Sequence, residues 1–157
     1  MVKIEPTTKQ VGYMLFPGLG HTVYLTKEDI RSLKGYPNNV LHVLVTTSVC
    51  QVMDITIDEL FSKTRKQPAP LARHICMYSL VVDFGMSLKG VARILRPVKP
   101  YNHSTIHHGR ETIKDYLDPA DGTRFAKGVR EIYSKLNLKL KAYINEGNRT
   151  NRQSRQR

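Results

Sequence analysis

The sequence predicts a mainly α-helical protein built around a helix-turn-helix. Three observations carry that prediction. Apolar residues recur at helical spacing from Asn39 to about Ile144. Capping residues, prolines and glycines interrupt the pattern at helix-length intervals. The positive charge begins abruptly in the middle of the chain. Residues 1–61 hold five Lys/Arg and six Asp/Glu, for −1, and residues 62–114 hold ten and two, for +8. Residues 115–157 hold ten and five, for +5. A step of this kind points to one face meant for a polyanion rather than to a uniformly solubilising surface.

The elements follow in order. Val11–Phe16 and Thr22–Leu25 read as two short strands around Pro17-Gly18-Leu19-Gly20. Thr26, with Asp29 three residues on, opens a short helix through Leu33. Residues 1–38 form an accessory N-terminal segment of unassigned role. From Asn39, Val40, Leu41, Leu44, Val45, Val49, Val52 and Met53 mark a helix. Thr56-Ile57-Asp58-Glu59 is a capping-box pattern that starts a short helix with Leu60 and Phe61 inward.

Ser62 to Gln67 is a basic loop. Pro68 and Pro70 begin a long helix whose inward residues are Leu71, Ile75, Tyr78 and Val82, with Gly85 beyond its end. Ser87 caps a helix with Leu88, Val91, Ala92 and Leu95 on one face. Arg96 to Pro100 breaks it. A further helix, His103 to Leu117, turns Ile106, Gly109, Ile113 and Leu117 inward. After the turn Asp118–Gly122 a last helix runs from Thr123 to Ile144 on Phe125, Val129, Ile132, Leu136 and Leu140. Residues 39–146 thus form one helical domain, and residues 147–157 a polar basic tail expected to be disordered.

Several function classes are disfavoured. No apolar run reaches the roughly 18 to 20 residues that span a bilayer. Residues 1–10 lack the apolar stretch of a secretory signal. Cys50 and Cys76 stand apart, in apolar helical patterns, as buried thiols do in a reducing cytoplasm. The expected location is therefore cytoplasmic. His103, His107 and His108 lack any nearby partner ligand except Glu111, so neither a metal nor a cofactor is expected. Ser104 beside His107 and His108 on one exposed helix makes no enclosed pocket with an orienting acid. Asp83 and Glu111 are the only carboxylates in residues 62–114, too few for a metal-dependent nuclease. No enzyme activity is expected.

Two helices joined by a break, Ser87–Leu95 and His103–Leu117, are a helix-turn-helix candidate. With Ile106 inward, Ser104, His107, His108 and Glu111 turn outward at 100° per residue. Short hydroxyls and imidazoles suit hydrogen bonding to base edges. The basic loop supplies Lys63, Arg65 and Lys66. Ser87 and Lys89 lie at the start of the first hairpin helix, with Arg93 one turn further on. Lys89 and Arg93 read either as phosphate contacts or as solubilising charge.

Four segments in order resemble a known family. They are Thr56-Ile57-Asp58-Glu59-Leu60-Phe61-Ser62-Lys63-Thr64-Arg65-Lys66, Leu71-Ala72-Arg73-His74-Ile75-Cys76-Met77, Met86-Ser87-Leu88-Lys89-Gly90-Val91-Ala92 and Asn102-His103-Ser104-Thr105-Ile106-His107-His108-Gly109. This order and spacing resemble the C-terminal DNA-binding domain of the bacterial chromosomal replication initiator DnaA, over about residues 39–117. The family pattern runs S-K-x-R, A-R-x-x-x-M, S-L-x-x-I/V-G/A, then D-H-T/S-T-V-x-x-A.

The resemblance implies a Trp-repressor-like helical fold that binds duplex sites of the DnaA-box type, in replication or transcription control. It implies Arg65 in the minor groove and Arg73 at the DNA backbone. It implies Asn102, His103, Ser104 and Thr105 reading bases in the major groove. The implied partner is double-stranded DNA, with the replication initiator or other replication proteins as further candidates and no membrane.

Three departures stand out. Asn102 replaces the signature aspartate, and it can donate as well as accept. Arg96–Tyr101 replaces a short Gly-Gly turn. No phosphate-binding G-x-x-x-x-G-K-[ST] loop occurs, so the initiator's ATPase chemistry is not carried over. The competing reading is a basic helical interaction module that binds an acidic partner protein, or nucleic acid, without sequence preference.

Overall fold

The computed structural model describes residues 22–155. Among the described residues there are seven α-helices, one π-helical turn and no strand. Val11–Phe16 lies outside them. Thr22–Leu25, expected as a strand, forms no regular element. Val23 docks on the last helix instead, its N–H donating to Ser134 Oγ (2.9 Å) and its carbonyl accepting from Asn137 Nδ2 (2.8 Å). Two polar side chains do here what a neighbouring strand would do.

Helix α1 (Lys27–Lys34) starts on the Thr26–Asp29 capping box and buries Leu33. Helix α2 (Asn38–Met53) buries Leu41, Val45 and Val49, while Val40 points outward. It stops at Asp54, which takes up a left-handed φ of 54°. Helix α3 (Ile57–Phe61) is capped by Thr56, whose hydroxyl accepts from the Glu59 N–H (3.1 Å). Helix α4 (Ala69–Tyr78) passes directly into a π-helical turn, Ser79–Asp83, and Gly85 follows with φ 67°. Helices α5 (Leu88–Leu95) and α6 (His103–Leu117) form the helical hairpin. Helix α7 (Arg124–Arg155) packs along α1, α2 and α6.

Two apolar faces are rotated from their expected phase. The π turn adds a residue to one turn of helix, so Val82 faces solvent while Leu80 and Phe84 take the core positions. In α7, Phe125 is half-exposed, edge-on to Tyr116 at 5.0 Å, and Ala126, Val129, Tyr133, Leu136 and Leu140 are buried. Tyr133 displaces Ile132 because its ring meets Tyr24 and Tyr78 and its hydroxyl finds a half-buried acceptor. The helix also continues past Ile144, through the residues expected as a disordered tail, to Arg155. No proline interrupts residues 145–155, and Gly147 is the only strong helix-weakening residue there.

The acceptor for Tyr133 is Asp83 Oδ2, at 2.6 Å. Burial raises the Asp83 carboxyl to about 6, and the Tyr133 hydrogen bond opposes that rise. An unfolded aspartate titrates near 3.9. The fold therefore holds this proton more tightly than the unfolded chain does. Its stabilising contribution is complete below about pH 4 and is lost as pH rises through about 6, a span of about 2 to 3 kcal/mol. Asp83→Asn keeps an acceptor for Tyr133 and removes the charge. Melting curves should show the variant more stable than the parent at pH 8 and no more stable at pH 4. Parallel pH profiles for the two proteins would exclude Asp83 as the source.

Candidate nucleic-acid interface

Helix α6 shows two distinct faces. Ile106, Gly109, Ile113 and Leu117 are buried, whereas His103, Ser104, His107 and His108 are exposed and Thr105 is half-buried. Asn102 caps the helix, its Oδ1 accepting from the Ser104 N–H at 3.5 Å. The amide nitrogen of Asn102 is thereby left to donate elsewhere. Glu111, expected outward, is half-buried and lies between Arg110 (3.2 Å) and Lys114 (3.9 Å). Its charge is balanced within the helix, which lessens any repulsion of an approaching anion. His107 Nδ1 meets the Arg110 guanidinium.

The seat beneath α6 is α4. A Cβ on Gly109 would lie 2.3 Å from Met77 Sδ and 3.0 Å from His74 Cδ2, so glycine permits this close approach. The His74 ring meets His108 edge to face at 6.0 Å. Burial, then the nearby His108 and Arg73, lower the His74 pKa. His74 was not marked as important by the sequence, whereas Met77 stood at the methionine position of the resembling family's pattern. The only signal for His74 was Gly109 at a position where the resembling family places alanine.

The basic loop, Ser62–Gln67, is shaped by hydroxyl turns. Ser62 Oγ donates to the Glu59 carbonyl (2.7 Å) and accepts from the Thr64 N–H (3.3 Å), and Thr64 Oγ1 accepts from the Lys66 N–H (3.2 Å). Lys63, Arg65 and Lys66 are exposed. Beside them an open groove of about 520 Å³ is lined by Asp58, Glu59, Ser62, Thr64, Lys66 and Gln67.

Arg73 departs from its expected place at the DNA backbone. It is buried, with Nε donating to the Leu60 carbonyl and Nη2 to the Thr64 carbonyl, both at 2.8 Å. Its guanidinium ties the end of α3 and the middle of the basic loop to α4. In this position it braces the basic loop from within.

In the first hairpin helix, Ser87 Oγ accepts from the Gly90 N–H (3.0 Å), which leaves its own proton free to donate. Lys89 and Arg93 are exposed, and among the described residues no carboxylate pairs with either. The turn between the helices holds Arg96 over the Tyr101 ring, 5.0 Å from its centroid. The turn after α6 is closed by Arg130, which the sequence did not single out. Its Nη1 donates to the carbonyls of Tyr116 (2.8 Å) and Asp118 (3.0 Å), and its Nη2 to that of Asp121 (2.8 Å).

Cys50 and Cys76 are both buried thiols, and burial pushes each above its ordinary pKa. Among the described residues, no three His, Cys, Asp or Glu side chains are grouped to hold a metal ion. No described helix is long and apolar enough to cross a membrane.

The paired helices, the capped second helix with one locked and one polar face, and the neighbouring cations define a helix-turn-helix surface. No solved structure matches the chain. The family model described as the bacterial dnaA protein helix-turn-helix matches residues 44–113, from within α2 to near the end of α6. Over these residues the chain is similar to the helix-turn-helix of the bacterial DnaA protein.

Proposed function

We propose that the protein binds double-stranded DNA sequence-specifically, at sites of the DnaA-box type, and acts in replication or transcription control. The family supports DNA binding through the helix-turn-helix. The observation that carries the finer reading is the exposed first turn of α6, His103, Ser104 and His107, on a helix whose opposite face is locked onto α4. A helix presented in this way enters a major groove by its N-terminal turns. In this reading Asn102, His103, Ser104 and Thr105 read base edges, with His107 and His108 along the groove. Arg65 enters the minor groove, Lys63 and Lys66 meet phosphates, and Ser87 and Lys89 hold the flanking backbone. Asn102 offers a donor where an aspartate could only accept, so base preference at its position differs from that of aspartate-bearing relatives. The setting that fits is a bacterial cytoplasm or nucleoid, with replication proteins as further partners.

Selection from a random duplex pool, followed by titration at about physiological salt, tests the proposal. The selected duplex should bind at least about 10³-fold more tightly than its scrambled version. Equal binding to both would leave the non-specific module instead, a reading that the +8 segment alone also accommodates. Ser104→Ala refines the test. Its expected effect is a loss of about tenfold, or about 1.4 kcal/mol, at the selected site with little change on scrambled DNA. A uniform loss on both duplexes would place Ser104 on the phosphate backbone.

A further inference from the structure

The break between α5 and α6 holds a charge arrangement that the family match does not explain. Arg96-Pro97-Val98-Lys99-Pro100-Tyr101 contains two cations and no acid. Two prolines fix φ at two of its six positions. Val98, at its middle, is 100% exposed, and Lys99 is exposed beside it. Tyr101 is half-buried and packs against the core, so its ring is a fixed platform. The Arg96 guanidinium lies over that platform at 5.0 Å. Among the described residues, neither Arg96 nor Lys99 is paired with a carboxylate.

We propose that this turn is a phosphate clamp: Arg96, held by the Tyr101 ring, and Lys99 grip the DNA backbone at the lip of the groove that α6 enters. The inference rests on the helix-turn-helix reading above and adds a contact to it. Lys99 precedes the cap residue Asn102 by three positions, a reach of roughly 10 Å at most. The major groove is roughly 12 Å wide. A helix that enters the groove by its first turn therefore brings the residues just before it over the flanking phosphates. Stacking on Tyr101 restricts Arg96 before DNA arrives, which lowers the ordering cost of the contact. The contact carries no base information, because a phosphate is the same at every step.

The test is the salt dependence of duplex binding by the full chain. Each phosphate contact contributes a slope of roughly 0.9 in log affinity against log salt. For Arg96→Ala/Lys99→Ala together, the slope should fall by about 1.8. The affinity lost between 50 and 200 mM salt should then be on the order of tenfold smaller than in the parent. The ratio of selected to scrambled affinity should stay within about threefold of the parent's. Tyr101→Phe should keep the parental slope, and Tyr101→Leu should lose part of it.

An unchanged slope in a double variant with the parental melting curve would overturn the clamp. So would an unchanged slope accompanied by a collapsed specificity ratio, which would make the turn a base reader. A parent that binds selected and scrambled DNA alike, with the slope still falling in the double variant, would defeat sequence-specific reading and leave the clamp standing. A parent that binds no duplex would remove both.

Discussion

Arg73→Ala is expected to destabilise the protein by about 3 kcal/mol and to loosen the loop that carries Arg65. The guanidinium supplies two 2.8 Å hydrogen bonds to the backbone carbonyls of Leu60 and Thr64. A hydrogen bond from a charged donor contributes about 1.5 to 3 kcal/mol, and a buried acceptor left without a donor costs more than the bond itself gave. Alanine also removes the methylene stem of a side chain that is only 8% exposed. Lysine is not a substitute, because one ammonium does not reproduce the guanidinium's planar fork between two carbonyls. Denaturant melts would measure the first effect, and amide exchange over residues 62–67 the second. DNA affinity should then fall because Lys63, Arg65 and Lys66 must be ordered on binding. The opposite outcome is equally specific. Unchanged stability with a salt slope lower by about 0.9 would make Arg73 a phosphate contact, as the resemblance implied.

Gly109→Val should cost a similar amount for a different reason. The first added carbon alone would lie 2.3 Å from Met77 Sδ, and Met77 is 2% exposed. His74, at 3.0 Å, closes the other side. Replacing glycine within a helix gains several tenths of a kcal/mol in propensity. Overpacking costs about 1 to 3 kcal/mol and here meets buried Met77 and half-buried His74 at once. A net loss of about 2 to 3 kcal/mol corresponds to a fall in Tm of roughly 4 to 12 °C for a chain of this size. Because α6 must move off α4 to accommodate the side chain, specific DNA binding should suffer beyond the loss of stability. A double-mutant cycle of Gly109→Ala with Met77→Ala isolates the contact, with an expected coupling of about 1 kcal/mol or more. Additive effects would show that the clash is relieved elsewhere.

The helix starts were legible in the sequence because their signals are local. Thr26, Thr56 and Ser87 each cap the helix that their spacing announced. The inward stripe of α6 was legible for the same reason, since nothing interrupts its period. The phase of a helix failed wherever a distant partner decided it. Val82 turned outward because the chain inserts a π turn, a hydrogen-bonding choice that periodicity does not encode. Tyr133 turned inward because Asp83, fifty residues away, supplies its acceptor.

Side chains that hold backbone were the hardest to foresee. Arg73 and Arg130 look like surface cations in a basic sequence, yet each gathers the carbonyls of a neighbouring turn. The exposed candidates, from Lys63 to His108, were legible as a set through the charge step and the ordered motifs. The stacking of Arg96 on Tyr101 was not legible, since it depends on where the turn folds back.

The docking of Val23 onto Ser134 and Asn137 joins residues 111 and 114 positions apart. It has a consequence for the order in which the protein can be made. During synthesis α6 emerges before most of α7, the helix that backs it. Until Tyr133, Leu136 and Leu140 follow, the surfaces they cover on the earlier helices face solvent. A nascent chain ending soon after Leu117 would carry every expected base-reading residue without the support that fixes their aim. The packing that fixes α6 is thus completed late, when α7 closes over Val23 and the earlier helices.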